Sequence, residues 1–186
     1  MTPNRPRKRK PTGRQRGPKK VAGVHIQRSR NGEAWVLVHP PCASQRAEDL
    51  EEVHAMIAGG AIDVAIDELR WLLDGCSDFL AAHTLLGELA LSEDVSLARG
   101  HFGHAYQLGL TAIRHAGRPY PMPYSYVANR PFFHAGRGLA NSLERLDLAP
   151  MAIEVIEQLL GCDPTDPIGL ARQLEALRTK GRSDRS

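Results

Sequence analysis

The residues best able to do chemistry are the eight histidines and three cysteines, since imidazole and thiolate groups are the side chains that most often bind zinc. Two pairs come close together in the sequence, His101-x2-His104 and Cys76-x6-His83. Zinc sites usually space their ligands as C-x2-4-C or H-x3-5-H, and neither pattern occurs in this sequence. We therefore predict no metal and no cofactor, with a His/Cys metal-binding protein or enzyme as an alternative.

Motifs for nucleophilic or phosphate chemistry do not occur in the sequence. It has no G-x-S-x-G elbow, no P-loop and no G-x-G-x-x-G after a strand. Gly100 and Gly103 flank His101-Phe102 inside a predicted helix, so we expect these glycines to allow close helix packing rather than to cradle phosphate. The chain is not predicted to be an enzyme.

The N-terminus is strongly basic. Residues 1–30 hold eleven Lys or Arg and no acid, whereas the rest of the chain holds 13 bases against all 21 acids. Its composition predicts a disordered arm that could neutralise nucleic-acid phosphates. With no aromatic residue before Trp35 for base stacking, such contact would be non-specific. An inert tail, or an arm folded back on the acidic body, is the alternative. The predicted contacts are Arg7, Lys8, Arg9, Lys10, Arg14, Arg16, Lys19 and Lys20.

The elements that would position any site are helices. Apolar residues recur at three and four positions through most of the chain, the pattern of helices that bury one side. Two pairs of apolar positions show the same spacing. Val53 and Leu86 are 33 residues apart, and so are Ala65 and Ala98. A third copy follows an insertion at about 110–130, where prolines interrupt any helix. The spacing predicts a repeated pair of helices.

The third copy shows most clearly what kind of repeat this is. Its order of features resembles the tetratricopeptide repeat (TPR), whose pattern is W-x2-L-G-x2-Y, then A-x3-F, then P, over about 34 residues. Aliphatic residues fill the aromatic positions here. The resemblance implies an all-α, helix-turn-helix solenoid of about three repeats plus a capping helix, and a helical bundle without repeats is the alternative. The matching residues are Gly136-x2-Leu139-Ala140-x2-Leu143, Ala152-x3-Ile156 and Pro164.

The resemblance also implies a function. In TPR proteins the first helix of each repeat lines a concave groove, so this chain is expected to be a non-catalytic adaptor or scaffold that binds a protein or peptide of unknown identity. Some family members hold a peptide's terminal carboxylate with a basic residue and an Asn, and Arg137 and Asn141 are one turn apart in a similar way. An ordinary hydrated helix face is the alternative. The implied groove residues are Glu51 in the first repeat and Thr84, Glu88, His134, Arg137, Asn141 and Arg145 in the next two.

The segment before the helices has strand-like composition at 33–39, after the turn signal Asn31-Gly32. Val24 and Ile26 could pair with it in a short β-hairpin, which we expect to lie along the first helices. The insertion holds three tyrosines among its prolines, so we expect an ordered loop packed on the helices. The predicted segments are a disordered basic arm (1–20), a joining segment with the hairpin (21–43) and a TPR-like helical domain (44–180).

The last helix is expected to start at Asp166-Pro167, an N-cap followed by Pro in the first turn. One side of this helix is apolar and the other polar, as a solenoid's capping helix requires. Its inward residues are Leu170, Leu174 and Leu177, and its water-facing residues are Arg172, Gln173, Glu175 and Arg178.

The three cysteines are far apart in the sequence, which argues against a disulfide framework and for a reducing compartment. No apolar run approaches the roughly 20 residues that span a bilayer. The basic N-terminus lacks a following apolar segment, so it does not match a secretory signal. We expect a cytoplasmic protein with no membrane partner.

Overall fold

The computed structural model describes residues 23–183, and this part of the chain is mostly helical, as predicted. No helix in it is long and apolar enough to cross a membrane. The predicted disordered arm, 1–20, lies outside the described residues. The elements are β1 (His25–Arg28), β2 (Trp35–Val38), α1 (Pro41–Gln45), α2 (Ala47–Ala58), α3 (Ile62–Gly75), α4 (Leu80–Ala90), α5 (Val95–His115), a 3-10 helix (Val127–Asn129), α6 (Arg130–Arg145), α7 (Ala149–Cys162) and α8 (Leu170–Ser183).

Helices that follow one another in the chain pack side by side, from α2 and α3 through to α7 and α8, and α4 also contacts α6. The landmark residues of the sequence pattern lie at these contacts. Ala65, Ala98 and Ala152 are fully buried, and a small side chain lets two helices approach closely. Val53 and Leu86 are buried as well. The 33-residue spacing therefore joins pairs of positions that are both buried in the core.

The core consists of two hydrophobic clusters that meet at α4. The first lies among α1 to α4 and contains the fully buried Val53 and Leu69. The second includes residues of every helix from α4 to α8 and is built around large rings such as Phe102. On α4, Leu86 belongs to the first cluster and Leu80 to the second. Helix α4 thus connects the two halves of the core.

Phe102 of α5 lies between two glycines on neighbouring helices. A Cβ atom on Gly87 of α4 would lie 2.8 Å from the Phe102 ring, and one on Gly138 of α6 would lie closer still. By contrast, a Cβ on Gly100 would meet nothing within 4 Å, and one on Gly103 would make a single ordinary contact at 3.8 Å. The expectation that Gly100 and Gly103 permit close packing is therefore wrong, and Gly87 and Gly138 have that role.

The predicted hairpin is confirmed, but not its position. Strands β1 and β2 pair antiparallel, with His25 opposite Val38 and Arg28 opposite Trp35. The hairpin contacts α5 and the 3-10 helix instead of lying along the first helices. The reason is that Leu37, which is 2% exposed, joins the second hydrophobic cluster.

Asn129 joins the hairpin to the loop between α5 and α6. Its side chain is completely buried, and its Oδ1 accepts a hydrogen bond from the backbone N–H of Leu37 at 2.8 Å. Its Nδ2 donates to the carbonyls of Trp35 (3.1 Å) and Pro123 (2.9 Å). The backbone N–H of Trp35 also donates to the carbonyl of Pro121 at 2.9 Å. The α5–α6 loop is therefore ordered and packed on the body, as predicted.

A disulfide bond joins Cys42 to Cys76, with their Cα atoms 5.7 Å apart. The expectation that the cysteines form no disulfide is wrong, because the helical part begins at Pro41 instead of at residue 44 as predicted. This earlier start places Cys42 in α1, beside the C-terminal end of α3. The prediction of a reducing compartment depended on unpaired cysteines, so this bond removes that argument, and the cytoplasmic location stays a prediction.

The last helix begins later than predicted. Helix α8 starts at Leu170, four residues after Asp166, so Pro167 is outside its first turn. Asp166 still caps the helix, since its carboxylate accepts hydrogen bonds from the first two backbone N–H groups of α8 at 2.7 and 3.0 Å. Leu170, Leu174 and Leu177 are buried, as predicted.

Candidate partner-binding face

Helix α6 carries a row of polar residues along one side because its other side is buried. Phe132 and Leu139 belong to the second hydrophobic cluster, and Pro131 in the first turn fixes where the helix begins. Residues that recur at four and three positions share one side of a helix. The row on the outer side is Arg130, His134, Arg137, Asn141 and Arg145.

Arg137 is the most available member of this row. It is exposed, and within residues 23–183 it forms no hydrogen bond and no ion pair. Partial burial raises the pKa of the Glu88 carboxyl on α4, while the nearby charges of Arg137 and of His54 on α2 act to lower it. The outer sides of α2, α4 and α6 therefore lie within electrostatic reach of one another. Glu51 of α2 is also exposed, as its predicted role requires.

Arg145 has a partner inside the protein. Its Nη1 donates a short hydrogen bond to the carbonyl oxygen of Leu91, which is the C-cap residue of α4. The last carbonyls of a helix lack partners within the helix, and a cation there also interacts favourably with the helix dipole. Arg145 thus fastens α6 to the end of α4, so its guanidinium is not fully available to a binding partner.

Asn141 is half-buried under the last helix. The Nε2 of Gln173 on α8 donates to Asn141 Oδ1 at 2.8 Å and to Glu144 Oε2 at 2.9 Å. The expectation that Gln173 faces water is wrong, because these two acceptors on α6 draw its amide inward. Asn141 keeps its own N–H groups for further bonding, but its carbonyl oxygen already belongs to the α6–α8 contact.

Thr84 lies inside the protein instead of on an exposed groove. It is 5% exposed, and its hydroxyl donates to the carbonyl of Leu80 at 2.8 Å, one turn earlier in α4. The same hydroxyl is 3.5 Å from the carbonyl of Pro131 on α6. The α4–α6 contact covers this side of α4, so the prediction that Thr84 meets a partner is wrong.

His134 pairs with a residue that the sequence pattern does not identify. The hydroxyl of Tyr124, from the α5–α6 loop, is 2.7 Å from His134 Nε2, and the two rings stack. The Arg130 guanidinium lies 5.4 Å from the centre of the Tyr124 ring. Burial, and then the charges of Arg137 and Arg130, lower the pKa of His134, which favours the neutral form of this imidazole. The only sequence signal for this contact was the set of tyrosines among the prolines of the insertion.

The residues available on this face therefore differ from the predicted set. Arg137 and Arg130 are two cations about two turns apart on α6, with the neutral His134 and the Tyr124 hydroxyl between them. Guanidinium groups donate hydrogen bonds to carboxylate oxygens, and charge strengthens those bonds, whereas the Tyr124 hydroxyl is already paired with His134. Glu88 supplies the opposite charge on α4. Exposed charges of both signs therefore lie on this face.

The histidines do come together, at the contact between α4 and α5. His83 Nδ1 is 3.3 Å from His101 Nδ1, and the His83 ring centre is 4.4 Å from that of His104. His83 Nε2 donates to the carbonyl of Ser77 at 3.0 Å. Burial, with a contribution from the charges of His104 and His101, lowers the pKa of His83 to about 4. Among the residues described, no three His, Cys, Asp or Glu side chains are placed to hold a metal ion, and the disulfide prevents Cys76 from serving as a thiolate ligand.

The basic residues predicted to contact nucleic acid, from Arg7 to Lys20, lie outside the described residues, and so that prediction stays untested. A scan against protein-family models found no match for this chain. A search of curated proteins found no significant match either. Its function is therefore inferred from its own residues.

Proposed function

We propose that this chain is a TPR-like, non-catalytic adaptor that binds a peptide or protein on the face formed by α2, α4 and α6. The repeat assignment is supported by three alanines, Ala65, Ala98 and Ala152, which are fully buried at the equivalent position of three helix pairs. It is also supported by the packing of each helix on the next, as in a solenoid. Such arrays bind partners along the surface that their first helices share.

The observation that carries the proposal is the exposed charge of Arg137 beside Glu88. The two side chains are near enough to influence each other, yet they form no ion pair, since the ion pairs of residues 23–183 are both elsewhere. Each charge is therefore available to a partner of opposite sign. A segment with an acidic group on Arg137 and a basic group on Glu88 would cross α6 and α4 together.

Charge reversal at the centre of the face tests the proposal. Arg137→Glu would place a like charge next to Glu88 and repel the acidic group of a partner, so capture of binding partners from a lysate should be lost. Arg172→Glu makes the same charge change on the exposed side of α8 and should leave capture unchanged. Equal recovery of the same proteins by both variants, at equal helix content, would contradict the proposal.

A second function is favoured by the charge distribution, because residues 1–30 hold eleven bases and no acid. We propose that the arm binds RNA or DNA without sequence preference, through phosphate neutralisation. Deleting residues 1–20 should abolish retention on immobilised RNA, and retention of the full chain should fall steeply as salt rises. Retention of the truncated chain with the same salt dependence would rule out this role for the arm.

A further inference from the structure

A groove of about 650 Å³ runs between α5 and α7, with α6 as its floor. This volume is within the range of small-molecule sites, about 300–1,000 Å³. The groove is open because Gly100 and Gly103 of α5 have no side chains to fill it. Its floor is apolar, with Leu139 and Leu143 of α6 lying at the bottom. It shares no residue with the partner-binding face.

Tyr106 presents an unpaired polar group to this groove. The residue lines the groove, is 4% exposed, and is held by a stacked contact of its ring with Phe132 at 5.3 Å. Its hydroxyl has no hydrogen-bond partner among residues 23–183, although buried phenols usually find one. The hydroxyl is not one of the polar atoms sealed from solvent in this part of the chain. It is therefore free to bond to a molecule in the groove.

The charges that line the groove select an anion. Arg99 and Arg114 of α5 line it with Glu154 of α7, and neither arginine has an ion pair or hydrogen bond in the described part of the chain. Burial raises the pKa of Tyr106, the neighbouring Cys162 also acts to raise it, and the charge of Arg114 acts to lower it. The guanidinium of Arg114 therefore lies within electrostatic reach of the hydroxyl. Both groups donate to an anionic oxygen.

We propose that the α5–α7 groove binds an amphiphilic monocarboxylate. The carboxylate accepts hydrogen bonds from Arg114 and from the Tyr106 hydroxyl. The hydrocarbon chain follows α5 over Gly103 and covers Leu139 and Leu143. From Arg114 to Gly103 the helix rises about 17 Å, at 1.5 Å per residue, so an extended alkyl chain fits along the floor. This ligand gives the Tyr106 hydroxyl a hydrogen-bond partner and packs its chain on the apolar lining of the groove, and it does not depend on the proposed adaptor role.

Isothermal titration calorimetry of the full chain with laurate, below the concentration at which micelles form, tests the ligand class. Laurate should bind saturably at one site. Acetate has the same head without the chain, and dodecyltrimethylammonium has the same chain with a cationic head. Each should bind at least about tenfold more weakly, as expected when one charged or apolar part of the contact is missing. Absence of saturable laurate binding, or equal binding of the cationic amphiphile, would overturn the proposal.

Variants locate the site. Arg114→Gln should weaken laurate binding by about tenfold, and Tyr106→Phe by roughly fivefold, because each removes one donor to the carboxylate. Gly103→Phe should abolish binding by filling the groove, since its Cβ itself would make only an ordinary contact. Arg172→Gln on α8 is the matched control and should bind like the parent. Unchanged affinity in Arg114→Gln, which alters only an exposed residue, would refute the site even if Gly103→Phe failed to fold.

Discussion

Replacing Gly87 with alanine tests the packing at the centre of the molecule. The added methyl would lie 2.8–2.9 Å from three carbon atoms of the Phe102 ring. Carbon atoms without a bond between them prefer separations of about 3.5–4.0 Å, so the ring would have to retreat. It cannot do so freely, because Gly138 of α6 is pressed against the same ring. Helix α4 or α6 would have to shift instead.

The expected magnitude follows from two opposing effects. Overpacking a core costs about 1–3 kcal/mol, while alanine in a helix interior gains up to about 1 kcal/mol over glycine. The net destabilisation of Gly87→Ala should be about 1–2 kcal/mol, which lowers Tm by roughly 3–6 °C in a chain of this size. Gly100→Ala has the same helix gain with nothing within 4 Å of its Cβ, so it should stabilise the protein by about 0.5–1 kcal/mol.

Thermal and urea unfolding followed by circular dichroism would measure both changes. The two variants should shift the midpoint in opposite directions. If Gly87→Ala were as stabilising as Gly100→Ala, Phe102 would not lie between α4 and α6 as described.

Three further predictions concern contacts that join separate parts of the chain. Asn129→Ala should lower the free energy of unfolding by roughly 2–4 kcal/mol, since it leaves buried backbone groups of the hairpin and loop unpaired. Asn31→Ala, in the exposed turn, is the control and should change it by less than about 0.5 kcal/mol. Equal effects of the two substitutions in urea unfolding would contradict the role of Asn129. Reducing the Cys42–Cys76 bond should lower stability by about 3–4 kcal/mol, because it releases a constraint on a 34-residue loop of the unfolded chain, and a Cys42→Ser/Cys76→Ser variant should no longer respond to reductant. The pKa of His83 is lowered to about 4 in the folded protein, so the unfolded chain binds more protons between pH 6.5 and 4. The stability of the fold should therefore decrease as the pH drops through that window. His83→Gln should reduce the slope of Tm against pH.

Periodicity in the sequence was enough to predict that the described part of the chain is mostly helical. Ala65 and Ala98 were identified by their shared spacing and Ala152 by the resemblance to the TPR pattern, and all three are fully buried. Local patterns succeed here because a helix that buries one side must repeat its apolar residues at three and four positions. The hairpin was predicted for the same kind of reason, since strand-like composition at 33–39 and the turn at Asn31-Gly32 are local signals.

The site was predicted less well because its contacts join distant segments. Arg145 bonds to Leu91 and Asn141 to Gln173, and no local pattern reports partners that far along the chain. Thr84 was expected on the outside, but α4 is contacted by α3, α5 and α6. More of its surface is therefore buried than in a helix that has one buried and one exposed side. Exposure on a central helix depends on how many neighbours surround it, which spacing alone does not give.

Site-specific photo-cross-linking tests the central claim most directly. A photoreactive phenylalanine analogue would be placed at His54 of α2 or Arg137 of α6, both exposed on the proposed face, and at Arg172 of α8 as the control. If a partner binds across α2, α4 and α6, any protein captured by the parent chain should cross-link from positions 54 and 137, and not from 172. Cross-linking of that protein from 172 alone would contradict the account and place binding elsewhere on the molecule.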